Sequence, residues 1–137
     1  MFKTMLVEDN LIFRESFRDR LQLQFPSMEI AESGNGVEAL EKIASFFPNL
    51  IFMDIRLPGE NGLELTRKIK TDHSDIIVII FTSYDLLEYR EAATQNKANY
   101  FFTKSSITSD EIFALVKKVL LEKGFNANGS TSTGATA

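Results

Sequence analysis

Acidic side chains directly follow two of the apolar runs in this sequence. Glu8 and Asp9 follow Met5–Val7. Asp54 follows Leu50–Met53. Apolar runs without alternation are typical of strands buried on both faces of a parallel sheet. A carboxylate at the end of such a strand must find a partner, because an unpaired buried charge is costly.

Polar side chains also follow two later predicted strands. Thr82 follows Ile76–Phe81, and Lys104 follows Asn99–Thr103. Ligands of open α/β sheets bind outside the carboxyl ends of the strands, where neighbouring strand ends meet. We therefore expect Thr82 and Lys104 to lie close to the three acids.

The charges of this predicted cluster favour a divalent cation. Glu8, Asp9 and Asp54 carry three negative charges and Lys104 one positive charge, so a divalent ion brings the sum to zero. A small set of oxygen ligands suits Mg²⁺, which retains several waters. A carboxylate beside a metal, a lysine and a hydroxyl can attack phosphorus while the cations neutralise the phosphoryl group.

The elements that would position these residues alternate between strand and helix. A weak second strand is predicted at Met28–Ala31. Helical patterns follow the strands at Leu11–Phe25, Val37–Phe47, Gly62–Thr71, Asp85–Gln95 and from Thr108 onward. Five such βα units predict a parallel sheet with helices on both faces. The pattern alone leaves the strand order open.

Two helix starts have the spacing of a capping box, in which two side chains satisfy each other's backbone N–H groups. The pairs are Asp85 with Glu88, and Thr108 with Glu111.

Apolar spacing predicts which face of a helix is buried. For the last helix this face is Ile112, Leu115, Val116, Val119 and Leu120. For the second helix it is Leu40, Ile43, Ala44 and Phe47. Arg14, Arg18 and Arg20 are interpreted as a solvated face of the first helix, with partner docking as the alternative.

Composition excludes several classes of function. The chain has 137 residues, 44% of them hydrophobic, which is typical of one globular domain. A net charge of −4 argues against a general nucleic-acid binder, and the absence of cysteine excludes disulfides and thiolate metal sites. No apolar run is long enough for a membrane span.

We predict a domain over residues 1–123, and interpret 124–137 as a flexible tail, a truncated linker or an expression remnant.

Four motifs follow strand ends in chain order: Glu8-Asp9-Asn10, Met53 to Gly62, Thr82-Ser83 and Lys104. Together they resemble a response-regulator receiver domain of two-component signalling, a chemotaxis-regulator-like family. The resemblance extends over roughly residues 3–123. It implies a flavodoxin-like three-layer α/β sandwich, with five parallel strands in the order 2-1-3-4-5 and five helices.

The resemblance also implies roles for individual residues. Asp54 would accept a phosphoryl group as an acyl phosphate. Asp9 would bind Mg²⁺ directly, Glu8 largely through water, and Asp54 and the backbone carbonyl of Arg56 would complete the protein ligands. Lys104 would pair with Asp54 and then with the phosphoryl oxygens.

Two further roles concern the response to phosphorylation. Thr82 would bond the phosphoryl group, and Phe101 stands where the family keeps its switch aromatic. Phe101 lacks the hydroxyl of the more usual tyrosine, so it would act by packing alone. Ser105 stands where many receivers have a proline after the lysine, so this turn is expected to differ.

The implied protein is a phosphoryl-accepting switch rather than a metabolic enzyme, with slow autodephosphorylation. Its donor would be a sensor histidine kinase or a histidine phosphotransfer protein. The family further implies cytoplasmic location and a homodimer through the fourth helix, fifth strand and fifth helix, without direct binding of nucleic acid or membrane. The alternatives are a receiver-like interaction scaffold that works without phosphorylation, and a magnesium-dependent phosphotransferase or phosphatase.

Overall fold

The computed structural model describes residues 1–127 of the chain. Strands and helices alternate throughout this part, as the sequence pattern predicts. The strands are β1 (Lys3–Val7), β2 (Glu29–Ser33), β3 (Leu50–Met53), β4 (Ile77–Thr82) and β5 (Tyr100–Thr103). The helices are α1 (Leu11–Gln24), α2 (Gly36–Phe46), α3 (Gly62–Asp72), α4 (Leu87–Gln95) and α5 (Ser109–Glu122).

The five strands form one parallel sheet in the order β2-β1-β3-β4-β5. This confirms the fold and strand order implied by the family resemblance. The register pairs Val7 of β1 with Met53 of β3, and Met53 with Ile80 of β4. Consequently, the residues that follow β1 and β3 emerge side by side at one edge.

Two apolar layers cover the sheet, because successive side chains of a strand point to opposite faces. On one face, α1 and α5 pack on a cluster that includes Phe52 and Phe81. On the other face, α2, α3 and α4 pack on a cluster that includes Met53 and Ile80. The central strands are therefore buried on both sides, as their continuous apolar runs predict.

The predicted buried face of α2 is confirmed at Ile43 and wrong at Leu40, Ala44 and Phe47. Gly36, Ala39 and Ile43 are buried, whereas Leu40 is 37% and Phe47 63% exposed. Both sets of residues have helical spacing, so periodicity alone did not separate them. Ala39 and Ile43 belong to the apolar cluster on this side of the sheet, so packing on the strands selects the buried face.

Only one of the two predicted capping boxes is formed. Thr108 and Glu111 bond each other's backbone N–H groups at the start of α5, as predicted. The box at Asp85 is wrong, because α4 starts two residues later and its N-cap, Leu86, has no side-chain capping bond. Asp85 instead accepts a hydrogen bond of 2.7 Å from Nε of Arg90.

The chain after α5 turns back toward β1. The backbone N–H of Phe125 donates to the carbonyl of Leu120 at 2.9 Å, and its ring meets that of Phe2 edge-on with centroids 5.3 Å apart. Residues 128–137, most of the predicted tail, lie outside the described residues. The predicted boundary after residue 123 stays a prediction.

Candidate functional site

Three carboxylates meet at the carboxyl edge of the sheet. One oxygen atom from each of Glu8, Asp9 and Asp54 lies within 4.8 Å of the others. Glu8 and Asp54 are only 6% and 8% exposed, whereas Asp9 is open to solvent. The backbone N–H of Asp54 donates to the carbonyl of Val7 at 3.0 Å, which extends the β1–β3 pairing to the acids themselves.

Lys104 reaches this cluster from the end of β5. Its Nζ atom forms an ion pair with Oε1 of Glu8 and lies 3.6 Å from Oδ2 of Asp54. Its side chain is 16% exposed, so both ion pairs are shielded from bulk water. The sequence-based prediction that these residues lie together is confirmed by the geometry.

Burial raises the proton affinity of the Glu8 carboxylate. Removal from water raises the pKa of the Glu8 carboxyl above its ordinary value, the bond from Lys104 opposes this shift, and the nearby charge of Asp54 adds to it. One ammonium group therefore does not compensate three carboxylates. The site retains an excess of negative charge that a further cation would neutralise.

The donor set fits Mg²⁺. All three side chains offer hard oxygen ligands, and one of them, Asp9, faces solvent, so an ion could keep most of its water. Glu8 already accepts bonds at both oxygens, from Lys104 at Oε1 and from the N–H of Asn10 at Oε2. Oδ1 of Asp54 likewise accepts a bond of 2.8 Å from the N–H of Ile55, so the solvent-facing Asp9 is the most accessible of the three acids.

Thr82 lies on β4, the strand next to β3, and Phe101 lies on β5, one strand further from Asp54. Thr82 is fully buried at the end of β4, and its Oγ1 accepts a bond of 3.3 Å from the N–H of Tyr84. The backbone N–H of Lys104 donates to the carbonyl of Thr82 at 2.8 Å, which places these two residues on adjacent strand ends. The ring of Phe101 is half-buried, 4.7 Å from the guanidinium carbon of Arg90.

Arg56 lies in the loop after β3, two residues beyond Asp54. Its guanidinium carbon lies 3.8 Å from the centroid of the Tyr84 ring, and Nη2 donates to the hydroxyl of Tyr89 at 3.4 Å. The side chain thus links the loop after Asp54 to the loop after Thr82 and to α4. The predicted metal contact of its carbonyl stays a prediction.

Arg14 was missed as a residue of this site. Its Nη1 donates to the carbonyl of Glu8 at 2.7 Å, and its Nε pairs with Glu32 at 3.0 Å. Arg18 pairs with the other oxygen of Glu32 at 2.8 Å. The interpretation of these residues as a solvated face is therefore wrong for Arg14, which ties the acidic loop to β2. Its position in the first turns of the helix that directly follows the acids could have identified Arg14 from the sequence.

Gly62 allows α3 to begin against the backbone of Asp54. A Cβ atom at this position would collide with the carbonyl oxygen of Asp54. The N–H of Gly62 donates to the carbonyl of Ile55 at 2.7 Å. The close approach holds the loop that carries Asp54 against the first turn of α3.

A family model for the response regulator receiver domain matches residues 4–117. The chain belongs to the response regulator receiver domain family. Magnesium binding and phosphorylation are typical of these two-component signalling domains, which are not classical enzymes. Within residues 1–127 of this receiver domain, no helix combines the length and apolar character required to cross a membrane.

Several known proteins are similar to this receiver domain. Response regulator MprA of Mycobacterium avium (strain 104) is 30% identical over 118 residues, which are 86% of this chain and 50% of MprA. The chain thus spans about half the length of the curated relatives it matches.

Solved structures share the fold of this receiver domain. A DNA-binding response regulator of the LuxR family from Staphylococcus aureus superposes with a TM-score of 0.80 and 29% identity, covering 87% of this chain and 98% of that one. A CheY-like receiver domain protein from Methanospirillum hungatei JF-1 gives a TM-score of 0.82 and 25% identity, covering 90% of this chain and 96% of that one.

Proposed function

We propose that this receiver domain is a phosphorylation switch in which Asp54 accepts the phosphoryl group. The observation that carries the proposal is the position of Lys104, whose ammonium pairs with Glu8 and lies 3.6 Å from Asp54 while the three carboxylates converge. The membership of the receiver family supports the same reading. The complete set of acids speaks against the alternative of a scaffold that works without phosphorylation.

The reaction moves one phosphoryl group between two residues. A carboxylate oxygen of Asp54 attacks the phosphorus of a phosphohistidine on a histidine kinase or phosphotransfer protein. A P–O bond forms, the P–N bond breaks, and the imidazole leaves with the electron pair and takes up a proton. Lys104 then exchanges its contact with Asp54 for one with the phosphoryl oxygens. Slow hydrolysis of the acyl phosphate returns Asp54 to a carboxylate.

Mg²⁺ would supply charge neutralisation at the phosphoryl oxygens. Asp9, Asp54 and the carbonyl of Arg56 would hold it, with Glu8 acting largely through water. The converging oxygens of Glu8, Asp9 and Asp54 support the carboxylate assignments. The roles of the Arg56 carbonyl and of water at Glu8 are implied by the resemblance to the receiver family.

The conformational change on phosphorylation would be relayed to the output face by Thr82 and Phe101. The Thr82 hydroxyl would donate to a phosphoryl oxygen, and the shift of the β4–α4 loop would change the packing space of the Phe101 ring. The output face would be α4, β5 and α5, which is also the surface for a homodimer.

We further propose a domain over residues 1–123, a cytoplasmic location, and no direct contact with nucleic acid, consistent with the net charge of −4.

Intact mass after incubation with acetyl phosphate and Mg²⁺ tests the proposal. We expect the chain to gain one phosphoryl mass. The gain should disappear in Asp54→Asn and when the metal is chelated. Asp72→Asn is the matched control, because this exposed acid ends α3 at the opposite edge of the sheet and should not affect the gain.

A rapidly hydrolysed adduct requires a second measurement. Beryllofluoride with Mg²⁺ should shift the NMR signals of Thr82 and Lys104 in the wild-type chain but not in Asp54→Asn. Absence of both the mass gain and these shifts would overturn the phosphorylation switch in favour of the interaction scaffold. Turnover of a small phosphomonoester would instead indicate the phosphatase.

A further inference from the structure

The ring of Phe13 lies directly beneath the ammonium group of Lys104. Nζ of Lys104 is 4.1 Å from the centroid of this ring. A cation within about 6 Å of an aromatic face is attracted by the negative potential of the ring. The contact joins the first turn of α1 to the residue that follows β5.

The Phe13 ring is held in place by its neighbours. It stacks on Phe17 with centroids 6.0 Å apart and an interplanar angle of 22°. It also packs against Phe81 at 5.9 Å. The backbone N–H of Phe13 donates to Oδ1 of Asn10 at 3.0 Å, which fixes the first turn of α1. The ring is therefore a fixed surface rather than a mobile side chain.

Lys104 requires such a surface because its side chain is long and flexible. A lysine ammonium is a point charge on four carbons and has no planar group to orient it. Glu8 and Asp54 attract it from the acidic side of the site. Phe13 attracts it from the apolar side, so the ammonium is held between the ring and the two carboxylates. A leucine at residue 13 would fill much of the space without attracting the charge.

We infer that Phe13 is a positioning residue for Lys104. Its ring face keeps the ammonium next to Asp54, where Lys104 would meet the incoming phosphoryl oxygens. The effect on phosphorylation rests on the proposed function, whereas the contact itself does not. Phe13 touches neither the phosphoryl group nor the metal in this mechanism.

Stepwise fluorination of Phe13 tests the contribution to the rate. Site-specific incorporation of mono-, di- and trifluorophenylalanine weakens the negative face of the ring while its shape changes little. We expect the rate of phosphorylation by acetyl phosphate with Mg²⁺ to fall progressively, by about threefold to tenfold over the series. The same series at Phe25 is the control, because this buried ring belongs to the same apolar cluster but packs against Phe113 at the opposite end of α1 from Phe13. Equal rates across the Phe13 series would overturn the inference.

An NMR measurement without metal or phosphoryl donor tests the contact. Protons above an aromatic face are shielded, so the ε-methylene protons of Lys104 should resonate upfield of those of other lysines. The displacement should persist in Phe13→Tyr and vanish in Phe13→Leu. An ordinary Lys104 resonance in the wild-type chain would contradict the contact. If the wild-type chain takes up no phosphoryl group, the proposed function fails while this resonance still decides the role of Phe13.

Discussion

Arg14 shows how a single residue outside the acidic cluster can fix its geometry. Its guanidinium bonds the carbonyl of Glu8 and pairs with Glu32. A hydrogen bond from a charged group to a buried carbonyl is stronger than an ordinary one. Arg14 therefore restrains the backbone that presents Glu8 and Asp9, although it carries the wrong charge to bind a metal.

Replacing Arg14 should weaken both the fold and the metal site. In Arg14→Gln we expect the free energy of unfolding to fall by about 1–3 kcal/mol. We also expect a higher Mg²⁺ concentration at half-saturation, because the acidic loop loses its tie to β2. Urea unfolding and an NMR-monitored Mg²⁺ titration measure the two effects.

The matched control is Arg20→Gln on the same helix. Arg20 bonds only the exposed hydroxyl of Ser109 among its described hydrogen bonds, at 2.7 Å. Its guanidinium carbon also lies 5.6 Å from the centroid of the Phe17 ring, so its replacement should cost less than about 1 kcal/mol and leave the Mg²⁺ titration unchanged. An Mg²⁺ titration of Arg14→Gln that matches wild type would show that the loop does not depend on Arg14.

At the scale of elements, α4 is anchored more weakly than α5. Ala93 is the one buried residue of α4, and its N-cap has no side-chain bond. By contrast, α5 buries Ile112, Val116, Val119 and Leu120 and begins with a complete capping box. Elements with few buried contacts open at low free-energy cost. The helix beside Thr82 is thus the one that can shift with the least loss of packing.

The two predicted capping boxes provide a direct comparison. Thr108→Ala should lower the free energy of unfolding by about 1 kcal/mol, because it removes a formed cap. Asp85→Ala should cost less than about 0.5 kcal/mol, since within residues 1–127 the side chain of Asp85 makes only an exposed ion pair with Arg90. Urea midpoints of the two variants measure the difference. Equal losses would indicate that Asp85 caps α4 in solution.

At the scale of the whole molecule, the buried acid makes stability depend on pH. The pKa of Glu8 is raised in the folded chain, mainly by burial. The folded state therefore takes up this proton at a higher pH than the unfolded chain does. Ionised Glu8 lowers stability at neutral pH, and the loss is recovered as the pH falls toward the ordinary glutamate range of about 4.3.

Comparison of Glu8→Gln with the wild-type chain isolates this contribution. In the absence of metal, the variant should have its greatest relative stability near pH 7. Its advantage should shrink as the pH falls through the raised pKa of Glu8, because the wild-type carboxyl then becomes neutral as well. Chemical unfolding in a chelating buffer over this range measures the difference. A difference that stays constant or widens on acidification would contradict the burial argument.

The alternation of elements and the residues at the strand ends could be predicted from the order of the amino acids alone. Continuous apolar runs indicated strands buried on both faces, and polar residues directly after them indicated one shared edge. These features are local, because each depends on a short segment and its flanking residues. For this reason Glu8, Asp9, Asp54, Thr82 and Lys104 could all be selected without a structure.

Which of several equivalent local patterns is used depends on how the elements pack together. The strand order came from the family resemblance rather than from the pattern, and it is confirmed by the sheet. The buried face of α2 is set by packing on the sheet, and Asp85 pairs with Arg90 instead of capping α4. The contacts of Arg14 with Glu8 and of Phe13 with Lys104 join segments that are brought together by folding. Such pairings depend on distance in space, which residue spacing along one element does not encode.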